Sequence, residues 1–326
     1  METQKEQLYS PKKKITTIAM AFMTAAAIIS LRGLPMMAAE EMTMFFYIAF
    51  ATIFFLIPAA LISAELGSTF AKQEGGIYRW VGTAFGKKIG FTAIWLQWIQ
   101  NVVWYPTVLA FAAAAIAYGI GKPELADNGM FTGLFIILFY WVATIIAFCG
   151  TKVLSKVTSF GFIIGTVFPG LIVILLGIIW LISKKPLGFE ELTAAETSVA
   201  TIVNGKILPR WIPDLSNLKN LSFLSGIILL FAGVEVQAVH ATEMENPKKQ
   251  YPLAILISSL IVFILFTFGS LSIAAVVPNS QLKLESGLMQ ALSTMLKSVN
   301  MNWTLPILSF CIAFGALAGV LSWISG

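Results

Sequence analysis

Residues 15–39 read ITTIAMAFMTAAAIISLRGLPMMAA, an apolar run that is interrupted near its middle by an arginine, a glycine and a proline. About 20 apolar residues are enough to cross a bilayer as an α-helix. Pro35 removes a backbone donor and clashes with the preceding turn, and Gly33 lets the backbone leave helical dihedrals at little cost. The stretch therefore predicts a membrane helix that is broken within the bilayer.

Further apolar runs follow along the chain, separated by short charged segments. They cover residues 43–65, 90–120, 130–149, 157–183, 222–241, 251–277 and 303–326. Of the 326 residues, 58% are hydrophobic and only 11% are charged, whereas about a quarter of the residues of a soluble domain are charged. The runs are too long and too uniformly apolar for the strands of a membrane barrel. The sequence therefore predicts an all-α polytopic membrane protein with about eight transmembrane helices.

The positions of lysine and arginine favour a cytoplasmic N-terminus. In that orientation the inner segments hold twelve of these residues and the outer segments hold eight, five of them in the long loop at 184–220. Short loops decide orientation more than long ones do. Residues 1–14 are then a cytoplasmic tail, residues 15–326 a transmembrane domain, and the long loop an ordered surface segment. The net charge of +5 comes from helix ends rather than from one face, which argues against a nucleic-acid partner.

Arg32 lies at the interruption of the first span. An arginine inside a membrane is expensive unless it faces a partner or an aqueous cavity, and such residues are functional by default. The other interpretation is a kinked helix whose arginine reaches up to the membrane interface.

The sixth span has a matching irregularity, FAGVEV at 231–236, with Gly233 two residues before Glu235. The alternative interpretation of this segment is a glycine that allows close helix packing and a glutamate with a structural role. However, the interrupted spans are the first and the sixth, which are equivalent places in two halves of five helices. Paired interrupted helices indicate the central site of a transporter. Freed N–H groups suit a carboxylate and freed carbonyls an ammonium group, and an α-amino acid carries both.

Several motifs resemble those of the amino acid–polyamine–organocation transporter superfamily. They are GVE at 233–235, EMENPKK at 243–249 with YPLA at 251–254, SAEL at 63–66 and EGGIYRWV at 74–81. Within the superfamily, LSIA at 271–274 and SGLMQ at 286–290 are most similar to bacterial glutamate/γ-aminobutyrate antiporters. The resemblance implies a five-plus-five inverted-repeat (LeuT-like) fold, with the first repeat at about 15–183 and a partial second repeat at about 222–326.

The resemblance also implies which residues bind substrate. The backbone at the two breaks would hold the α-amino and α-carboxylate groups, the third helix and the eighth span would add side chains, and Glu235 would sense or couple protons. For the third helix, a plain packing face is the alternative interpretation. The predicted substrate-binding residues are Ser30, Leu31, Arg32, Gly33, Trp98, Asn101, Tyr105, Ala232, Gly233, Val234 and Trp323.

Two features depart from the superfamily pattern. Arg32 stands where members commonly carry glycines, and a fixed positive charge favours an acidic side chain over lysine or arginine as substrate. Gly319 stands where some exchangers of acidic amino acids carry a carboxylate. The chain also ends at Gly326 within an apolar run, whereas members have about twelve spans. The expectation is therefore a truncated product with an incomplete second repeat.

The function predicted is amino acid transport across a bacterial inner membrane, in the form of glutamate:γ-aminobutyrate antiport by alternating access, which the resemblance links to acid resistance. The alternatives are a transport-incompetent remnant or membrane binding partner, or a permease for another amino acid. No phosphate loop, metal-ligand cluster or nucleophile elbow is visible in the sequence, so no enzyme, cofactor or metal is predicted. The partners are the amino acid and the lipid bilayer. His240, the single histidine, is interpreted as hydrogen-bonded or interfacial rather than as a pH sensor.

Overall fold

The computed structural model describes residues 15–70, 73, 75–188, 200–203, 206–213, 216 and 218–325. The α-helices in chain order are α1 (Thr17–Ile28), α2 (Gly33–Ala38), α3 (Met44–Ala51), α4 (Ile57–Thr69), α5 (Gly76–Phe85), α6 (Lys87–Gly119), α7 (Gly129–Phe148), α8 (Thr151–Phe162), α9 (Phe168–Ile182), α10 (Leu218–Leu230), α11 (Pro247–Ala274), α12 (Gly287–Ser298) and α13 (Leu305–Ser325). Short 3₁₀ segments cover Glu41–Thr43, Pro123–Asp127, Val236–Glu243, Asn279–Gln281 and Asn302–Thr304.

Among the described residues, six helical segments are long and apolar enough to cross a membrane. They are Glu41–Thr69, Lys87–Gly119, Gly129–Phe148, Thr151–Ile182, Pro247–Ala274 and Asn302–Ser325. The two predicted spans that are absent from this set are the first and the sixth, because each is divided into shorter pieces. The prediction of an all-α polytopic membrane protein is confirmed for the spans. The division into domains, the inverted repeat and the cytoplasmic N-terminus stay predictions.

The predicted residues of the first break begin at Ser30, whereas the break in the structure begins one residue earlier, at Ile29. Helix α1 ends at Ile28, and Ile29 is extended with φ −78° and ψ 117°. Helix α2 begins again at Gly33, so that Pro35 falls inside its first turn. A proline is tolerated in a first turn because the N–H that it lacks would have no helical partner there. Pro35 therefore starts the second half-helix, whereas the sequence analysis had included it in the break.

The second break separates α10 from a 3₁₀ segment. Helix α10 ends at Leu230, and the 3₁₀ helix Val236–Glu243 follows. Between them Gly233 has a φ of 115°, a conformation that costs an L-residue energy but not a glycine. The predicted irregularity at 232–235 is therefore present, and its glycine is required by the backbone.

Two of the long spans contain a π-helical turn just before a proline. The turn Thr52–Leu56 joins α3 to α4 and precedes Pro58, and the turn Ile163–Val167 joins α8 to α9 and precedes Pro169. A proline cannot donate to the carbonyl four residues before it, and a π turn is one way in which a helix absorbs that mismatch. The spans therefore continue through their prolines.

Helix α13 occupies the centre of the described structure, packed against α1, α6 and α8. It also packs against the π turn of the fifth span. A Cβ atom on Gly165 would lie against the Gly315 backbone nitrogen, far closer than real Cβ atoms approach other atoms. The two helices therefore touch backbone to backbone, which only glycines permit.

The long loop contains a short β-hairpin, which the all-α prediction did not include. Strand β1 (Ala200–Val203) pairs antiparallel with strand β2 (Lys206–Pro209). The predicted loop at 184–220 lies partly outside the described residues, as does the predicted tail at 1–14.

Candidate substrate site at the two helix breaks

The first break borders a small cavity. Its volume is about 10 Å³, which is room for about one water molecule. The break itself, α6, the π turn of the fifth span and α13 contribute to its wall. The lining residues are Ile29, Ser30, Leu31, Trp104, Val108, Phe111, Gly165, Thr166, Ile312, Gly315, Ala316 and Gly319.

Trp323 connects the two breaks. The last carbonyls of a helix have no partner within that helix, and the Trp323 Nε1–H donates to one of them, the Ala27 carbonyl, at 2.6 Å. A Cβ atom on Gly233 would lie 3.0 Å from Trp323 Cζ2. The indole, which is 5% exposed, is therefore held between the end of α1 and the glycine of the second break.

The second break presents both backbone and carboxylate groups. The Val234 carbonyl accepts a long hydrogen bond from Ser63 Oγ at 3.4 Å, and Ser63 Oγ also lies 3.2 Å from the Tyr251 hydroxyl. The Glu235 carboxylate lies beside its own backbone N–H and that of Gly233. Ala232 lies half-buried in the same break. The glutamate therefore lies beside an N–H group to which a substrate carboxylate could also bind.

The predicted residues of the first break face different ways. Ser30 and Leu31 line the cavity, and Ser30 Oγ is buried without a hydrogen-bond partner among the described residues. Gly33 packs instead against Phe266 and Leu230. The structure brings Ser30 and Leu31 to the cavity but turns Gly33 away from it.

Arg32 is half-buried and does not line the cavity. Within the described chain its Nε is buried without a hydrogen-bond acceptor. The acidic residue whose charge acts on it is Glu285, just before α12. Helix α12 meets α2 here, since a Cβ on Gly287 would lie 3.0 Å from Pro35 Cβ.

The predicted residues of the third span, which is helix α6, also differ in whether they lie at the breaks. Tyr105 packs beside the cluster of Ala27, Val236 and Trp323, and Asn101 is buried with an Oδ1 that lacks a partner in the described part of the chain. Trp98 is 54% exposed and its ring stacks on Trp95 at 4.9 Å. The structure therefore does not bring Trp98 to the breaks.

Three residues that the sequence did not single out lie at the breaks, namely Trp104, Gln237 and Ser322. The Trp104 ring lies 5.6 Å from the Trp323 ring and lines the cavity. Gln237 is fully buried, and its Nε2 donates to the Ser322 carbonyl at 2.9 Å and to Ser322 Oγ at 3.0 Å. A glutamine between the apolar residues Val236 and Ala238 was the available signal for this contact.

His240 lies beyond this site, at the far end of the 3₁₀ segment. Its Nδ1 is 2.9 Å from Glu243 Oε1, and Thr151 Oγ1 donates to the other oxygen of Glu243 at 3.0 Å. The interpretation as a hydrogen-bonded histidine is therefore confirmed. Nowhere in the described ranges do three or more His, Cys, Asp or Glu side chains form a group that could hold a metal ion.

The chain is similar to known membrane transporters. The family model described as amino acid permease matches residues 15–326. The chain is 38% identical over 315 residues to an uncharacterized transporter of Legionella pneumophila, covering 97% of this chain and 64% of the relative. It is 28% identical over 317 residues to a glutamate/gamma-aminobutyrate antiporter of Lactococcus lactis subsp. cremoris, covering 97% of this chain and 60% of the relative.

A probable agmatine/putrescine antiporter of Lactococcus lactis subsp. lactis is 27% identical over 326 residues, covering 100% of this chain and 64% of the relative. The chain thus spans less than two thirds of the length of these relatives. Their names are those of transporters rather than enzymes, in keeping with a multi-pass bacterial membrane protein. With its two broken helices and a family match that runs from residue 15 to residue 326, the chain belongs to the amino acid permease family of the amino acid–polyamine–organocation superfamily.

Proposed function

We propose that the chain exchanges amino acids across the membrane by alternating access, with glutamate and γ-aminobutyrate as the exchanged pair. The observation that carries the proposal is the meeting of the two breaks at one side chain. Trp323 donates to the Ala27 carbonyl at 2.6 Å and packs against Gly233. Opposed helix breaks of this kind offer backbone donors and acceptors to a zwitterion.

The backbone suggests how a substrate is held. The ammonium group of the substrate would donate hydrogen bonds to carbonyls at the end of α1, including the Ala27 carbonyl to which Trp323 now donates. The substrate carboxylate would accept hydrogen bonds from N–H groups of the second break, including that of Gly233, which lies beside Glu235. Because the cavity at the first break has a volume of only about 10 Å³, an amino acid enters only if the walls of the cavity move apart. The described conformation is therefore a closed one.

The test of the function is counterflow of labelled glutamate into proteoliposomes that hold the 326-residue chain and internal γ-aminobutyrate. Saturable uptake that depends on the internal amino acid is expected. Uptake of another amino acid in place of glutamate would favour a different permease. Absence of counterflow by well-folded protein would favour a transport-incompetent membrane protein, the alternative that the sequence left open.

The preference for an acidic side chain is argued from Arg32. The relatives are named for substrates of different charge, gamma-aminobutyrate and glutamate in one case and agmatine and putrescine in another. Arg32 supplies a half-buried positive charge whose Nε has no acceptor within the described residues. Movement of α2 on opening would bring this charge to the substrate side chain.

Replacing Arg32 by alanine is expected to lower the preference for glutamate over glutamine by about tenfold, since a hydrogen bond to a charged group contributes about 1.5–3 kcal/mol. Competition of the two amino acids in counterflow measures the ratio. Glu285→Ala is the matched control, because it removes the acidic group whose charge acts on Arg32 without removing the guanidinium. An unchanged ratio in Arg32→Ala, or an equal loss in both variants, would contradict a substrate contact.

Glu235 is proposed to make exchange depend on pH. An ionised carboxylate bonds N–H groups more strongly than a neutral one, so at neutral pH Glu235 competes with the substrate carboxylate for Gly233 N–H and repels it. Protonation in acid removes both effects. Glu235→Gln is therefore expected to exchange at neutral pH at about the rate that the unaltered chain reaches in acid.

The measurement is the initial rate of counterflow between pH 4.5 and 7.5. Glu65→Gln serves as the control because Glu65 is an exposed carboxylate on α4, and its pH profile should match that of the unaltered chain. If Glu235→Gln keeps that same profile, Glu235 is not the proton-dependent group. With the N-terminus in the cytoplasm of a bacterial inner membrane, such exchange paired with glutamate decarboxylation would consume cytosolic protons and support acid resistance.

A further inference from the structure

Gln237 is a buried polar side chain that the exchange mechanism above leaves unused. It is the second residue of the 3₁₀ segment Val236–Glu243, directly after the second break. The residue is 0% exposed. Burying an amide without partners is costly, so its hydrogen bonds decide what it does.

The orientation of its amide is fixed by the contacts it makes. Nε2 lies 2.9 Å from the Ser322 carbonyl oxygen, and a carbonyl oxygen only accepts. The nitrogen must therefore face Ser322, and Oε1 must face away. In the described part of the chain Oε1 has no donor, so the bonds to Ser322 are what tie this side chain to the rest of the protein.

Ser322 connects the Gln237 side chain to α1 through hydrogen bonds. Its Oγ accepts from Gln237 at 3.0 Å and donates to the Met23 carbonyl at 2.7 Å. The next residue is Trp323, which donates to the Ala27 carbonyl one turn further along α1. A continuous set of hydrogen bonds thus runs from the segment after the second break, through the end of α13, to the helix before the first break.

We propose that Gln237 is a positioning residue for the substrate site: by fixing Ser322 it holds the indole of Trp323 between the two helix breaks. The proposal rests on the proposed function only for its effect on exchange. Its structural part, the control of Trp323 by Gln237, holds with or without transport and is tested separately.

The structural part is tested by fluorine NMR of the detergent-purified 326-residue chain grown with 5-fluorotryptophan. The chain has nine tryptophans, and the resonance lost in Trp323→Phe assigns Trp323. Gln237→Leu, which keeps a similar volume but no amide, is expected to shift or broaden that resonance while the Trp95 and Trp98 resonances stay in place. Gln250→Leu is the matched control, since Gln250 accepts only an exposed bond from the Asn246 N–H. An unmoved Trp323 resonance in Gln237→Leu would overturn the proposal.

The effect on exchange is tested by a double-mutant cycle. Gln237→Leu is expected to raise the KM for glutamate about tenfold in the unaltered background and to have little further effect in Trp323→Phe. Residues that act through one another are non-additive in this way. A merely structural role would raise KM by the same factor in both backgrounds, which would overturn the positioning role. Absence of exchange in the unaltered chain would contradict the proposed function, while the NMR result would still decide the structural part.

Ser322→Ala is a second variant, which keeps the proposal testable if Gln237→Leu does not fold. It removes one of the two acceptors of Gln237 and the bond to Met23 but keeps the backbone carbonyl. We expect a smaller shift of the Trp323 resonance in the same direction. No shift in Ser322→Ala would exclude the Ser322 hydroxyl as the link between Gln237 and Trp323 and would leave only the backbone carbonyl of Ser322 in that role.

Discussion

Replacing Gly233 by alanine is expected to reduce glutamate counterflow by about 30-fold or more. The φ of Gly233 is 115°, and a side chain held in such a backbone conformation costs about 1–3 kcal/mol. The new Cβ would also lie 3.0 Å from Trp323 Cζ2 and would press the indole away from the Ala27 carbonyl. Both effects act on the segment that would bind the substrate carboxylate, and each 1.4 kcal/mol is about tenfold in affinity.

Gly150→Ala is the matched control for this variant. Gly150 has a φ of 88°, and a Cβ there would meet nothing within 4 Å, so the alanine brings backbone strain without a clash and lies far along the chain from both breaks. Counterflow rates for the two variants are compared at equal amounts of folded protein, measured by size-exclusion chromatography. If Gly233→Ala exchanges as fast as Gly150→Ala, the second break does not form the substrate site.

The second large effect is expected on stability, from Gly165→Ala. A Cβ on Gly165 would overlap the Gly315 backbone and the Cys311 carbonyl, and neither can move without shifting a whole helix. Overpacking a tight core costs about 1–3 kcal/mol, occasionally more. We expect the apparent melting temperature to fall by roughly 5–10 °C, taking about 2–4 °C per kcal/mol for a domain of this order of size.

Thermal unfolding in detergent, followed by fluorescence or by loss of the monodisperse peak, measures this fall. Gly133→Ala on α7 is the control, because a Cβ at Gly133 would meet nothing within 4 Å. Alanine favours a helix over glycine by about 1 kcal/mol, so this variant should be at least as stable as the unaltered chain. Equal melting temperatures for the two variants would mean that α13 and the fifth span do not pack backbone to backbone.

The spans and both breaks were predictable from the sequence because their causes are local. Apolar length sets the long helices, and a glycine that needs a positive φ marks the second break. The sequence did not show whether Pro35 lies in the break or in the second half-helix, because a proline interrupts a helix interior but is tolerated in a first turn. Only the structure shows that Gly33 already starts α2, which moves the first break to Ile29.

The side-chain composition of the site was less predictable because it depends on neighbours. Trp98 and Tyr105 fall on nearly the same face of α6 at 3.6 residues per turn. However, apart from Gly90, the buried residues of α6 begin at Asn101, so one face is covered along only part of its length. Periodicity indicates a direction but not where along the helix a partner begins. Trp104, which is also on α6, was missed for the same reason.

The contact between Gly165 and Gly315 has a mechanical consequence. Two helices that touch through their backbones have no flexible side chains between them to absorb sliding or tilting. We therefore expect the fifth span and α13 to move together as one rigid unit. The hydrogen bonds from Trp323 and Ser322 join this unit to α1. If the two breaks separate, these bonds to α1 would be lost while the contact between Gly165 and Gly315 is kept.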